Sequence, residues 1–270
     1  MDTTRSQRWR ERRALWARDL TVIDPKAYTV DVVEHGVARK FIAEHHYLPS
    51  FPAARLAVGL FGRNAMLEGV AVFAVPATDA VITRHTGFDD PGRGCVLARL
   101  ILTDTVPQNG ESFFVARAFR HLRRERPGIE AVVSYSDPGA GHIGRVYCAL
   151  SAAHRAVTRP RTVLRAKGVT ISGRTLSKIR LGEQGHVGAV EQLVALGLPR
   201  PNLFEGPTAW LWRLERDRHL IRHRQAGLYA YCFELTREAR RRGRALPRLP
   251  YPKALPLTQP MLPLLSPMEI

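Results

Sequence analysis

The chain has 270 residues, 45% hydrophobic and 24% charged, which excludes a disordered or fibrous chain and allows a sizeable core. Lys and Arg number 41 against 24 Asp and Glu, a formal net charge of +17; such a field favours nucleic acid first, an acidic cofactor such as CoA second and an anionic membrane third. Cys95, Cys148 and Cys232 form no CxxC pair, and no apolar run is long enough to span a membrane, so a reducing, cytoplasmic setting is expected.

Residues 5–20 place six arginines around Trp9, Leu15, Trp16 and Leu20, the spacing of a basic amphipathic helix. Val33, Val37 and Phe41 then recur at helical spacing within Val30–Tyr47, leading into EHHYLPSFP. Two apolar runs, Leu56–Phe61 and Leu67–Pro76, joined by Gly62-Arg63-Asn64-Ala65, predict a β-hairpin. A loop at Gly87–Gly94 precedes CVLARLILT, Cys95–Thr103, which reads as a buried strand. Gln108 to Ser112 then opens an amphipathic helix at Phe113–Arg126, AVVSYS (Ala131–Ser136) predicts the next buried strand, and His142–His154 reads as a further helix.

Downstream, Thr170–Lys178 and Val187–Leu196 predict a strand-then-helix or two-helix appendage, and Leu228–Leu235 a late strand. An arginine run at Arg237–Arg248 leads into a Pro-rich end at Leu246–Ile270, expected to be extended or flexible. The order predicts an α/β fold, a mixed central sheet with helices on its faces. The expected organisation is a basic arm at 1–29, a domain at 30–236 (core 41–171, appendage about 172–225, late strand 228–235) and a tail at 237–270.

In such sheets ligands bind beyond the strand ends, here Asp104–Ser112 and Ser134–His142. Asn109-Gly110-Glu111-Ser112 at a helix start suits an anion: Asn109 as N-cap, Gly110 to let a ligand near the backbone. Ordinary capping uses the same residues. Asp137, at a strand end, is suited to accept a proton, orient a base or bind a metal, although Asp-Pro also begins many turns. His45, His46 and Tyr47 suit a site rim, and the Arg- and Trp-rich stretches near Trp210 and Trp212 suit nucleic acid or a solvated face.

Taken in order, the hairpin VGLFGRNAMLEGVAVF, a strand ending in a helix start, and a strand followed by a Tyr-bearing helix resemble the GNAT acyltransferase core. More narrowly, HHY (His45–Tyr47), LARLILTD (Leu97–Asp104), NGES (Asn109–Ser112), SYSDP (Ser134–Pro138) and GHIGRVY (Gly141–Tyr147) resemble the Mom family, GNAT-related phage proteins that modify adenine in DNA. The likeness covers about Phe41–Ala156, and more loosely RTLSKIR and the late strand.

That resemblance implies conversion of the adenine exocyclic amine to a carbamoylmethyl (acetamido) form that protects phage DNA from restriction in the infected cell. It points to His46, Tyr47, Arg99, Ser112, Asp137 and Tyr147 as catalytic. Acetyl-CoA or a related acyl-CoA would lie against Leu102, Asp104, Asn109, Gly110, Ser112 and Tyr147, with Tyr147 protonating the CoA thiolate. Iron at His46 and Asp137 is an additional expectation, and Arg174, Lys178, Arg180, Arg222 and Arg224 would hold double-stranded DNA. The GNAT phosphate signature, Gln/Arg-x-x-Gly-x-Gly/Ala, is not met, since Glu111 stands third after Gln108. Two rival readings are a GNAT acyltransferase acting on a protein or small amine, and a non-enzymatic DNA-binding scaffold. Oligomeric state is open, a homodimer being one form.

Overall fold

The computed structural model describes residues 21–46, 48 and 50–255. The basic segment expected at 5–20, Tyr47 and the end of the Pro-rich tail from residue 256 lie outside the described residues. The described chain divides into two compact units, residues 21–156 with 229–255, and residues 157–228. In chain order the first unit holds β1 (Thr29–Val32), α1 (His35–His45), β2 (Ala54–Phe61), β3 (Leu67–Ala74), α2 (Ala80–Thr86), β4 (Gly94–Leu102), α3 (Gly110–Glu125), β5 (Ala131–Ser136), α4 (Arg145–Ala149) and β6 (Ala153–Val157). The second holds β7 (Arg161–Ala166), β8 (Val169–Ile171), α5 (Gly173–Leu181), α6 (His186–Ala195), α7 (Pro207–Arg216) and β9 (Ile221–Gln225). The chain then returns to the first unit with β10 (Tyr229–Glu234) and α8 (Arg237–Gly243).

The first unit is built on a seven-stranded mixed sheet, order β1-β2-β3-β4-β5-β10-β6. The hairpin forms as its Gly62–Ala65 turn predicts, with Leu60 opposite Gly69 and Val58 opposite Ala71. Strand alternation then sends Val58, Leu60, Ala71 and Phe73 into one core, where α3 supplies Phe114, Val115, Ala118 and Leu122. Ala57, Val70 and Val72 face the other side, against Ala38, Phe41 and Ile42 of α1. At roughly 1.5–3 kcal/mol for each large side chain fully buried, these two layers dominate the unit's stability.

β4 and β5 run parallel, and their register extends only from Gly94–Ala131 to Leu97–Ser134. Beyond Leu97 the strands part. The parting coincides with a register shift between β3 and β4, where Val72 faces Arg99 but Phe73 faces Leu97, leaving Ala98 as the extra residue. Such a bulge bends and twists its strand, and Ala98 to Leu102 thereby continue on β3 while leaving β5.

Several predicted elements change. The helix expected over His142–His154 is reduced to the five residues of α4, because Gly144 takes φ of +77° and breaks any helix entered at His142. Ala153–Val157 is instead strand β6, its polar residues buried by specific partners. Arg155 pairs with Glu234, and the His154 ring stacks on Tyr231 at 5.1 Å. The loop before β4 is preceded by α2, which had not been expected, and the start of the expected helical span, from Val30, belongs to strand β1.

The tail also differs from the flexible segment foreseen. Thr236 caps α8 by accepting from the Ala239 N–H at 3.1 Å. Farther on, Leu249 N–H donates to the His154 carbonyl at 2.8 Å and the Tyr251 hydroxyl to the Ala152 carbonyl at 2.8 Å. The tail through Tyr251 is thus pinned to β6.

In the second unit, β7 is central in a three-stranded antiparallel sheet, β8-β7-β9. Leu164, Ala166 and Ile171 pack against Leu176 and Ile179 of α5, Leu193 of α6, and Trp210, Leu211 and Leu214 of α7. This core shares no member with those of the first unit.

Candidate functional site

A cleft of about 540 Å³ opens where β4 and β5 part. One wall is Leu97 to Leu102 of β4 without Arg99; the other is Tyr135 and Ser136 of β5 with Gly141 to Tyr147. Gln108, Asn109, Glu111 and Ser112, at the start of α3, close one end, and His46 contributes from the end of α1. The sixteen-residue α3 therefore directs the positive end of its dipole at the cleft.

Asn109 reaches the N-cap position with φ of +64°, a left-handed conformation that Asn tolerates better than most residues, and its side chain makes no capping bond. Its carbonyl accepts instead from Phe113 N–H at 3.0 Å and from the Ser112 hydroxyl at 3.0 Å. Gly110 is buried, and a Cβ there would strike Val106. The glycine lets the Asp104–Gln108 turn close against the helix, rather than simply clearing space for a ligand. Leu102 and Ser112 line the cleft; Asp104 is exposed on the turn and does not.

Tyr147 lines the cleft with its ring edge-on to Tyr231 at 5.3 Å and to Phe233 at 5.7 Å. Burial pushes its phenol pKa up, partly offset by a hydrogen bond with Ser134, so the group keeps its proton throughout the neutral range. Ser134 in turn donates to the Leu97 carbonyl at 3.1 Å, the last paired position of the parallel strands. The point where the sheet splits thus also orients the phenol.

Beneath it, Tyr231 is fully buried and donates to the Ile143 carbonyl at 2.5 Å, fixing the 141–144 turn that forms the cleft wall. Gly144 packs on the same ring at φ of +77°, and any Cβ would overlap it. Replacing Gly144 by Ala should therefore cost roughly 1–3 kcal/mol in backbone strain, with a similar overpacking cost. Chemical denaturation of the variant checks this, and an unchanged midpoint would show that the ring yields freely. Sequence reasoning missed Tyr231 as a supporting residue; its alternating aromatic strand was visible, but not which side chain would meet Gly144.

His46 is buried, and its Nδ1 accepts from the Leu48 N–H at 2.9 Å. In the neutral ring the proton then sits on Nε2, which presents a donor and not a metal-binding lone pair. The Asp137 carboxylate accepts from Gly139 N–H at 2.8 Å, capping a 3-10 turn at Pro138–Ala140, and does not line the cleft. No group of three or more His, Cys, Asp or Glu side chains able to hold a metal occurs among the described residues. Among the described residues, the iron expected at His46 and Asp137 finds no fitting donor set.

Arg99 points elsewhere: its guanidinium donates to the Ser50 carbonyl at 2.8 Å and to the Ala98 carbonyl at 2.7 Å. It ties the segment after α1 to the bulge in β4. Thiolate chemistry is disfavoured at every cysteine, since burial pushes Cys95 and Cys232 to about 12 and raises Cys148.

Arg174, Lys178, Arg180, Arg222 and Arg224 all belong to the second unit. Arg222 pairs with Glu215 at 2.7 Å, while the other four take part in no ion pair among the described residues. Arg174 and Lys178 border a smaller depression of about 240 Å³ between α5 and α6.

A mixed sheet whose parallel β4–β5 pair splays beside a helix start, with the Tyr-bearing helix α4 opposite, is the GNAT-like architecture foreseen from the sequence, its cleft at the divergence. The sequence model of the Mom protein family matches residues 27–253, and the chain belongs to that family. No curated protein sequence matches it. Solved structures similar to it include yncA from Salmonella typhimurium with acetyl-CoA, at 10% identity and TM-score 0.42, covering 78% of this chain and 95% of that one. Spermidine N-acetyltransferase from Vibrio cholerae follows at 10% identity and TM-score 0.39, with coverage of 78% and 95%. A Bacillus subtilis acetyltransferase in complex with CoA has 7% identity and TM-score 0.35, with coverage of 77% and 99%. Among the described residues no helix is long and apolar enough to cross a membrane.

Proposed function

We propose that the chain is an acyltransferase-like enzyme that modifies the exocyclic amine of adenine in double-stranded DNA and so protects it from restriction. Attack of the amine on an acyl carbon with release of the CoA thiol gives an N6-acyl adenine, and the carbamoylmethyl form implied by the family resemblance carries a further nitrogen that this step does not supply. The observation that carries this reading is the cleft itself, where a helix start, an apolar wall and a half-buried, protonated Tyr147 converge at the parting of β4 and β5. Family membership and the +17 charge support DNA as the substrate class.

The residues fit a CoA thioester. The apolar side chains of Leu97, Leu100 and Leu102 suit its arm, and the start of α3 with Ser112 suits its polar end, beside the acidic Glu111. When bound, that group supplies an activated acyl carbon. Tyr147 holds a proton at its phenol oxygen for a leaving group in the cleft, and His46 offers its Nε2–H to a developing oxyanion. The adenine amine is a weak nucleophile because its lone pair is delocalised into the ring. In this reading the Asp137 carboxylate, next to the cleft-lining Ser136, accepts a proton from it, the role that the sequence suggests for Asp137 or His46.

Expression in bacteria followed by digestion of the cellular DNA to nucleosides should yield a heavier deoxyadenosine by mass spectrometry. Unmodified DNA from cells holding folded protein sinks the proposal, while CoA-dependent acylation of a small amine without DNA would favour the other GNAT reading.

A further inference from the structure

Between α6 and α7 the chain makes a tight loop, Pro199 to Gly206, that presents two apolar side chains to solvent. Leu203 is 85% exposed and Phe204 is 96% exposed. Phe204 also has φ of +65°, a conformation that is an outlier for a bulky side chain. Strain and exposure together are costly, and neither is relieved by any packing in the described chain.

The loop is nonetheless held firmly. Glu205 accepts two bonds from the Arg213 guanidinium, both at 2.7 Å, and a third from the Asn202 N–H at 2.9 Å. Arg213 also donates to the Arg200 carbonyl at 2.9 Å, and Trp210 Nε1–H to the Pro199 carbonyl at 3.0 Å. The charge-assisted fork from Arg213 holds the Glu205 carboxyl down at about 2, so the brace persists at any working pH. A braced loop pays little further ordering entropy when its tip is buried by a partner.

Charge identifies the partner. Residues 157–228 carry thirteen Lys and Arg against five Asp and Glu, and the next helix shows solvent Trp212 and Arg216 one turn apart. A rigid apolar tip in a basic field is the composition of side chains that enter DNA between base pairs, unstacking a step while cations hold the phosphates. An enzyme acting on a base amine needs such a device, because the amine is inaccessible within the stack.

We infer that Leu203 and Phe204 form a wedge that inserts into the base stack of duplex DNA. The inference rests on the DNA-modification reading above. It assigns to this loop the opening of the duplex, separately from the chemistry of the cleft.

The test uses the full chain and a duplex carrying 2-aminopurine, whose fluorescence rises on unstacking. Phe204→Asn removes the ring yet suits the left-handed backbone, so the fold is retained. The wild-type chain should raise the fluorescence at stoichiometric binding. The Phe204→Asn variant should lose that rise and bind the duplex roughly tenfold or more weakly, the scale of a lost base–aromatic stack, and Phe204→Trp should restore both. An undiminished signal from Phe204→Asn, or a wild-type chain that modifies DNA without unstacking the probe, overturns the wedge and leaves the enzymatic reading standing. A wild-type chain that binds no DNA overturns both. A Phe204→Asn variant that dissociates a wild-type oligomer in sedimentation, with DNA unstacking intact, reassigns the tip to self-association.

Discussion

Replacing Tyr147 by Phe lowers the yield of modified deoxyadenosine by about 10²–10⁴-fold, the usual contribution of a positioned general acid, while the chain stays folded. The expectation follows from what the substitution spares. Phe keeps the edge-on ring contacts with Tyr231 and Phe233 and removes only the hydroxyl that meets Ser134. Nucleoside mass spectrometry measures the yield, and near-wild-type modification would remove Tyr147 from the mechanism. The same burial fixes the pH dependence. Burial raises the Tyr147 pKa above the ordinary phenol value of about 10, so the proton is present across the neutral range and no loss of rate there traces to it. For stability the sign is fixed as well. Above about pH 10 the unfolded phenol ionises while the folded one keeps its proton, so the folded state binds more protons and stability falls as pH rises. The Phe variant lacks that group and should lose less stability than the wild-type chain above pH 10.

How the fold and site could be read from the residues depended on whether local chemistry or distant register decided them. The hairpin was legible because Gly62–Ala65 interrupts two apolar runs, and β4 and β5 were legible because a strand buried on both faces reads as a continuous apolar string. The anchoring of α3 near Asn109 was legible too, though its left-handed backbone and the packing reason for Gly110 were not. His142–His154 misled because Gly144, inside that span, takes a left-handed backbone and packs on the Tyr231 ring, a contact from far along the chain. β6 was hidden for a related reason: His154 and Arg155 look like surface residues until Tyr231 and Glu234, far along the chain, bury them. The cleft arises from a bulge at Ala98 and a four-residue parallel register, and neither has a local signature. Asp137 and Arg99 were plausible site residues by type; the Pro138–Ala140 turn that Asp137 caps and the Ser50 carbonyl that Arg99 meets were not legible in the sequence.

Trp210→Ala should unfold the second unit while leaving the seven-stranded sheet intact. Trp210 is fully buried at the centre of the core made by β7, β8 and α5–α7, and its indole N–H holds the Pro199 carbonyl. Truncating such a side chain costs about 3–5 kcal/mol through lost burial and the cavity left behind. A unit of this size, residues 157–228, lies below the roughly 80 residues under which one core rarely supplies more than about 3–5 kcal/mol. The loss is therefore comparable to all the unit has. Limited proteolysis of the full chain should cut within 157–228 and spare residues 21–156, whose layers use none of the same side chains. Because the predicted phosphate contacts and the apolar tip both belong to this unit, duplex affinity and its salt dependence should fall together. Tyr147 should remain in its folded surroundings. A single cooperative transition carrying both units, or protease resistance across 157–228 in the variant, would show that the second unit draws its stability from more than its own core.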